Sequence, residues 1–532
     1  MESRHRMTER AASSWLEDAT GVPLRAALLG FIQAYGDAPV RVFRSPGRIN
    51  LRGMHVDTHG GYLNLMTHQR EVVVVCRARE DGVCRFINTD ARHAPFEFAF
   101  DQYTLPDNNH AAWLDFIAKS GSPARGSWQS YVTGAMLRAA VSAGGNRVGM
   151  DACIASDLPQ GAALSSSAAL CLSVYLAACG CMGPGPDEAE SILACRDAEW
   201  FAGARTGTSD PAAMVLGRAG QLVNVALLAE RFSLENIRRT DFPSDEVAVL
   251  VADSHTTRSL SGANLIAYTR NRFAYSVALE VLRQEMVWLG YRSEQLEYAD
   301  RLSRINAEFF GGARFFAALL LRVPEKLNFD DLRLRYDLPQ LDALLEQYFG
   351  SIPRDEWPED VPLRGPLVFG LAESERADLL FDHVEERMWE AAGKMMTLGH
   401  NGDRVANADG TPFDRTVRSV DLAHFGDENL QLAQLSGDYG ASSPVLDMLV
   451  DTAMNAGAHG ASLTGAGIAG SVLALCSRDK LEQVRAAWEA LLCSEAYAHR
   501  AGFAEPLTPE VAAASVVENI ATAQAGEVGL QE

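Results

Sequence analysis

Residues 43–67 read F-R-S-P-G-R-I-N-L-R-G-M-H-V-D-T-H-G-G-Y-L-N-L-M-T, which gathers Arg48, His55, Asp57 and His59 into a dozen residues punctuated by glycine. A guanidinium, two imidazoles and a carboxylate can grip hydroxyl groups or an anion. Charged and polar side chains on tight turns beside strands are a common way to build a small-molecule site. A solvated hairpin with ordinary surface charges would use the same residues, so spacing leaves both readings open. Val40, Val42 and Phe43 lead in with strand composition. Pro46 and Gly47 are expected to break that strand, and Gly53, Gly60 and Gly61 to make turns.

A second stretch, residues 156–170, reads S-D-L-P-Q-G-A-A-L-S-S-S-A-A-L. Here a strand is expected to end in a Pro/Gly turn, and three serines to lead into a helix over 168–176. Small residues let a backbone approach a ligand, and the N–H groups and dipole at a helix start favour an anion. Serine hydroxyls at such a turn also reach a phosphate-bound Mg2+. Serine is equally a good N-cap, so a well-capped core helix is the plain alternative. In the third stretch, residues 195–224, Glu199 lies on a helix ending near Gly203. Asp210 follows a Gly-Thr-Ser turn and, taken alone, reads as the cap of a new helix with Pro211 at its first position. The fourth, L-T-G-A-G-I-A-G-S-V-L-A-L over 463–475, is a glycine-rich loop running into a strand.

The elements that must hold these groups follow from periodicity. Leu24, Leu28, Leu29, Phe31 and Ile32 fall at helical spacing over 23–35. Residues 71–79 (E-V-V-V-V-C-R-A-R) read as a buried strand, because the valines are β-branched and consecutive. Short strands are expected over 84–88, 96–100, 149–154, 221–227 and 247–252, and a helix over 128–142. Residues 1–20 read as polar and loose. After Asp253 long amphipathic helices are expected over 258–283, 331–348 and 373–398, with an acidic, proline-rich loop at 354–366, a polar loop at 400–414 and a frayed tail from Ala521.

Composition narrows the class. A chain of 532 residues exceeds what one core normally serves, so two lobes are expected. A net charge of -22 argues against nucleic-acid and anionic-membrane partners, while backbone N–H groups remain able to bind a phosphate locally. The nine cysteines are odd in number and lack metal-ligand spacing, which points to reduced, buried thiols. The start M-E-S-R-H-R-M-T-E-R carries no apolar signal core, and no apolar run approaches the ~18 residues of a membrane span. A cytoplasmic protein is expected.

The order of these blocks is more specific than any one of them. P-G-R-I-N…H-V-D, P-Q-G-A-A-L-S-S-S-A-A-L, the Glu199/Asp210 segment and T-G-A-G-I-A-G resemble, in that order, the blocks of the GHMP kinases. The lead-in from Phe31 to Leu51, D-S-H-T-T-R-S-L-S at 253–261 and L-S-G-D-Y-G-A-S-S-P-V-L-D at 435–447 resemble the galactokinase branch. The resemblance implies an α+β, two-lobed fold with the active site between the lobes, here 1–252 and 253–532, with insertions near 290–370 and 400–425. It implies transfer of the ATP γ-phosphate to the anomeric hydroxyl of a sugar, with Mg2+. By position, Asp210 matches the aspartate that orients or deprotonates the C1 hydroxyl, and Arg48 the arginine beside it. Gly161, Leu164, Ser165, Ser166 and Ser167, with Gly465 and Gly467, match nucleotide positions. Ser166 and Glu199 match Mg2+ contacts, and Met54, His55, Asp57 and Tyr268 sugar positions. Sugar and ATP are the implied partners, with no nucleic acid and no membrane; the oligomeric state stays open.

The departures bear on the sugar. Galactokinases read G-E-H-x-D where this chain reads G-M-H-V-D, so Met54 stands where a glutamate binds the C6 hydroxyl. The block is similar to that of galacturonokinases, which also lack the glutamate. Ala162 and Ala163 thin the glycines of the phosphate loop, and Pro211 stands where glutamine is usual. Methionine would accept a uronate or a 6-deoxy sugar, with Arg52 a candidate partner for a uronate carboxylate or else a surface charge. A galactokinase that tolerates Met54, and a catalytically weak galactokinase-like sensor or scaffold, are the alternatives.

Overall fold

The computed structural model describes residues 10–120, 125–159, 164–183, 185–204, 206–229, 231–257, 262–350, 352–519 and 525–528. The chain divides into two compact units, one formed by Met1–Ile49, Met66–Gln221 and Ile520–Glu532, the other by Asn50–Leu65 and Leu222–Asn519. The units are therefore not consecutive segments, and a boundary at 252/253 falls inside the second. Strands β1 (Pro39–Arg52) and β2 (Gly61–Arg79) carry the chain across.

In the first unit Val72 to Val75 are all buried, as their β-branched run requires. They lie in β2, antiparallel to β5 (Gly149–Ser156), with Val72 opposite Ser156 and Arg79 opposite Gly149. On the far side of β5 runs the parallel β3 (Val83–Asn88), followed by the antiparallel β4 (Phe96–Ala99). Helix α1 (Val22–Tyr35) buries Ala27, Leu28 and Phe31 in a cluster with Val73, Val75 and Cys153. Helices α2 (Trp128–Ser142), α3 (Ser166–Met182), α4 (Glu188–Phe201) and α5 (Ser209–Leu216) pack on one another.

Two expectations for this unit fail for packing reasons. Pro46 and Gly47 do not break β1. Glycine is needed at 47 because a Cβ there would lie 2.3 Å from Nε2 of His68 and 2.5 Å from Leu158. The N-terminal segment is not loose throughout: Ala12–Asp18 is a helix that buries Ala12 and Trp15. Residues 1–9 and 521–524 lie outside the described residues.

In the second unit β6 (Gln221–Leu228) pairs antiparallel with the start of β2, Gly61 opposite Leu227, and with β7 (Ser233–Asp241). A separate antiparallel sheet contains β8 (Val247–Asp253), β9 (Gly460–Leu463), β10 (Ser471–Ser477) and β11 (Val516–Asn519) in the order β9-β10-β8-β11. The main helices are α6 (Gly262–Trp288), α7 (Arg364–Glu385), α8 (Trp389–Asp403) and α9 (Pro444–Asn455).

Helical periodicity over-reached here. The pattern at 331–348 is two short helices, Phe329–Arg335 and Leu341–Phe349, interrupted around Pro339. The pattern at 373–398 belongs to α7 and α8, separated at Arg387, whose φ of 58° no helix accepts. The loop expected at 354–366 gives way to a two-residue strand, Val361–Pro362, and then α7. Its counterpart at 400–414 begins as the buried end of α8. Within the segment read as an insertion, Phe316, Leu320, Leu332 and Phe349 pack in one cluster with Phe273 and Leu282. All nine cysteines are free thiols, seven of them buried. No helix among the described residues is long and apolar enough to cross a membrane.

Candidate active site

In the first unit three distant stretches converge on Asp210. Thr208, not Asp210, occupies the N-cap position of α5; Asp210 lies in the first turn with its carboxylate turned to other work. The Nε–H of Arg48, on β1, donates to Oδ1 at 2.7 Å, and the Ser165 hydroxyl donates to Oδ2. Ser165 stands at the N-cap position of α3 with φ 61° and makes no capping bond, because its side chain is spent on Asp210. A left-handed serine costs on the order of 1 kcal/mol and marks a position the surroundings over-determine. The Arg48 backbone N–H donates to Leu164 at 3.4 Å, which ties the arginine strand to the serine turn. The Arg48 side chain is 8% exposed and that of Asp210 24%, so the carboxylate faces an opening and the guanidinium does not. Helix α3 starts at Ser166 and runs to Met182, longer than expected at both ends. Gly161, Ala162 and Ala163 lie outside the described residues.

Glu199 on α4 is fully buried. Its two carboxylate oxygens accept hydrogen bonds from Ser167 (2.7 Å) and Thr206 (2.8 Å). Burial first, then the nearby Asp210 charge, push its carboxyl up to about 7, against the pull of those hydroxyls. A buried acid pushed towards neutrality and ringed by hydroxyl oxygens, beside a second carboxylate, is a donor set suited to a hard divalent cation such as Mg2+.

Off the same serine turn opens a cavity of about 380 Å3, lined by Asn88, His93, Trp128, Tyr131, Ser166 and Ser167 among others. Trp128 begins α2 and meets the ring of Phe96 edge-on at 5.0 Å, with the His93 ring 5.6 Å away. Flat rings with polar rims, next to a helix N-terminus, suit a purine nucleotide. The sequence reading missed Asn88, His93 and Trp128. Trp128 was legible only as the first residue of an amphipathic helix, and nothing in its spacing to the serines links the two.

In the second unit the hairpin turn between β1 and β2 holds the expected sugar residues. His55 has φ 64° and stacks on Tyr439 with ring centres 4.4 Å apart. Asp57 opens a short 3-10 turn, Asp57–His59, anchored by the Ala229 N–H donating to the Asp57 carbonyl at 3.0 Å. Met54 does not form an open wall: it is 2% exposed and packs in an apolar cluster with Ala248, Leu250 and Leu463. Arg52 is neither a surface charge nor an available cation. It is fully buried, its Nε–H donates to Glu373, and its Nη1 donates to the Met396 carbonyl at 3.0 Å. The same Glu373 oxygen accepts the N–H groups of Gly53 (2.8 Å) and Met54 (3.0 Å), so this ion pair shapes the turn. Burial works against the Glu373 charge, and Arg52 and Arg376 outweigh it, holding the carboxyl below its usual range. Tyr268 lies on α6, with its side chain outside the described residues. Gly465 and Gly467, both at φ 77°, bend the loop between β9 and β10; a Cβ on Gly467 would lie 2.1 Å from the Ala441 carbonyl.

Three family models match: the galactokinase galactose-binding signature over 30–78, the GHMP kinases N terminal domain over 130–218 and the GHMP kinases C terminal over 416–492. The chain is 28% identical over 461 residues to a galactokinase of Roseiflexus sp. (strain RS-1), covering 86% of this chain and 88% of that protein. It is 25% identical over 408 residues to a galactokinase of Bos taurus, covering 72% of this chain and 97% of the relative. The chain is similar to the GHMP kinases, and to galactokinases among them. The fold of Lactococcus lactis galactokinase, crystallised with galactose, superposes with a TM-score of 0.61 at 18% identity, covering 94% of this chain and 98% of that one.

The matched regions contain the residues described above. The galactose-binding signature contains Arg48, Met54, His55 and Asp57, and the N-terminal domain match contains the serine turn, Glu199 and Asp210. Gly465 and Gly467 fall in the C-terminal match.

Proposed function

We propose that this galactokinase-type sugar 1-kinase uses Asp210, Arg48 and the serine turn to move the γ-phosphate of ATP onto the anomeric hydroxyl of galactose or a close neutral relative. The observation that carries this reading is the Asp210 carboxylate held by Arg48 on one oxygen and Ser165 on the other, at the foot of a helix N-terminus beside a nucleotide-sized cavity. Two fixed partners aim the carboxylate without a side-chain search, which is the positioning that phosphoryl transfer depends on. The C1 hydroxyl gives its proton to Asp210 as its oxygen bonds to the γ-phosphorus, and the bond to ADP breaks. The Arg48 guanidinium, 2.7 Å from that carboxylate, would offset charge on the transferring group. Ser166 and Glu199 would hold Mg2+, which supplies charge neutralisation on the phosphates. His55 and Asp57 would grip sugar hydroxyls.

The acceptor reading follows from the second unit. A uronate needs a cation, and Arg52 is committed to Glu373. That favours an uncharged C6, as in galactose or a 6-deoxy sugar. The test is a panel of free sugars, 6-deoxy sugars and uronic acids assayed for ADP release, with NMR of the product. Phosphorus coupled to the anomeric proton is expected. Phosphate on C6, or turnover of uronates alone, would overturn the reading.

A further inference from the structure

Two consecutive residues of α7 grip the two limbs of the hairpin turn that carries His55 and Asp57. On the incoming limb, the N–H groups of Gly53 and Met54 donate to one Glu373 oxygen at 2.8 and 3.0 Å, and Nε–H of Arg52 donates to the same oxygen. On the outgoing limb, the Tyr62 N–H donates to the Ser374 hydroxyl at 3.1 Å. Both α7 residues are buried. The other Glu373 oxygen accepts Nε–H of Arg376 at 2.9 Å. The Arg376 guanidinium donates onward to the carbonyls of Ala433 (3.1 Å), Leu435 (2.6 Å) and Ser436 (3.3 Å). Helix α8 is cut to fit this cluster: a Cβ on Gly399 would lie 2.6 Å from Cζ of Arg52 and 2.7 Å from Oε2 of Glu373.

We propose that Glu373 is a positioning residue for sugar binding, with Ser374 its counterpart on the other limb, and that together they set the turn in which His55 and Asp57 meet the sugar. This inference rests on the reading that those two residues contact the sugar. The turn does not set itself. Gly53 stands at φ 95°, and a Cβ there would lie 2.3 Å from the Tyr62 carbonyl oxygen, so the two limbs touch just before His55. His55 stands at φ 64°, a conformation uncommon for a residue with a side chain and kept only where the surroundings impose it. Successive N–H groups at a buried turn need acceptors, and the Glu373 carboxylate supplies one for two of them.

A carboxylate needed only to neutralise buried arginines has no reason to meet two backbone N–H groups. Buried ion pairs are, moreover, often replaceable by apolar residues of similar volume without loss of stability. What apolar residues cannot do is hold those N–H groups in one direction. A shift of about 1 Å in a group that grips the substrate costs up to ~10²-fold, so the grip on the backbone reaches the sugar through the side chains between the two limbs.

The test uses the full-length enzyme with D-galactose and ATP varied in turn. It compares wild type with Glu373→Gln, Ser374→Ala, His55→Ala and the double variant Glu373→Gln/His55→Ala. Glutamine keeps the length and an acceptor oxygen and removes the charge. Glu373→Gln should raise the galactose KM about tenfold, the size of a weakened charge-assisted hydrogen bond, with kcat and the ATP KM within about threefold. A carboxylate that only holds the fold together would lower kcat through loss of active protein and leave both KM values alone. The double variant should lose less than the product of the two single losses, because Glu373 acts in part through His55. If His55→Ala raises the galactose KM while Glu373→Gln leaves it within about twofold of wild type, or if the two losses multiply in full, the positioning role is wrong and the sugar reading stands. An unchanged galactose KM in His55→Ala, or a wild type that does not take D-galactose, removes both. Should Glu373→Gln not fold, Ser374→Ala decides, since it leaves the arginines paired. A galactose KM raised about threefold with the ATP KM unchanged is then expected, and a galactose KM equal to that of wild type overturns the inference.

Discussion

Nε of Arg48 lies 2.7 Å from Oδ1 of Asp210, and the other oxygen of that carboxylate takes the Ser165 hydroxyl. The residues stand 162 positions apart in the chain. A capping aspartate would spend its oxygens on backbone N–H groups; this one spends them on a guanidinium and a left-handed serine. Asp210→Asn keeps the shape and loses the base. The expected outcome is a ~10²–10⁴-fold fall in kcat with the galactose Kd little changed. Single-turnover kinetics and equilibrium sugar binding check it, and a loss below threefold would return Asp210 to a structural role.

Arg48→Ala removes the charge beside the base and leaves Asp210 with Ser165 alone. Its effect should fall on kcat, by ~10²–10³-fold, because a preorganised donor acts on charge that develops during transfer. Comparing kcat with the ATP KM separates the possibilities. A change confined to KM would make Arg48 a ground-state phosphate contact.

His68 should steepen the acid limb of stability. It is fully buried on β2, and its Nδ1 accepts the Arg70 N–H at 3.1 Å. Burial, with Arg70 and Arg48 adding repulsion, lowers its pKa to about 3. In the unfolded chain it titrates near 6.5. Between those values the unfolded state binds the extra proton, so folding stability contributed by neutral His68 is complete above about 6.5 and is lost as pH falls towards 3. The slope is about 1.4 kcal/mol per pH unit within that window. Urea unfolding at pH 7.5, 5.5 and 4.5 should show wild type losing stability faster than His68→Gln. Parallel losses would mean that His68 is already charged in the fold.

Much of this could be read in the chain because the signals were local. The valine run of β2, the periodicity of α1 and α2, and the ordered P-G-R, serine and aspartate blocks each carry their own evidence. What could not be read depends on partners far away. Nothing near Arg52 announces Glu373, and nothing near the serine turn announces Trp128, whose helix begins 37 residues before Ser165. The broken helices at 331–348 and 373–398 failed for another reason: amphipathic period continues across a turn that one proline, or one residue at positive φ, is enough to make.

Met54 is where sequence and packing part most clearly. Read as the replacement for a sugar-binding glutamate, it invites Met54→Glu as a route back to galactose. The structure sets its side chain among Ala248, Leu250 and Leu463 at 2% exposure, and its backbone N–H already donates to Glu373. A glutamate there would place a carboxylate in an apolar cluster, next to a buried carboxylate whose arginine partners are already taken. Burial of an unpaired charge costs several kcal/mol or forces the group to hold its proton. Met54→Glu is therefore expected to lose ~2–4 kcal/mol of stability. The loss should be larger at pH 8 than at pH 6, because the raised carboxyl pKa makes ionisation the costly step. Met54→Leu, which keeps volume and polarity, should cost less than ~1.5 kcal/mol. Urea unfolding of both variants at the two pH values tests this, with galactose and 6-deoxygalactose kinetics in parallel. A Met54→Glu protein as stable as wild type, with its preference moved towards galactose, would place residue 54 against the sugar and not in the core.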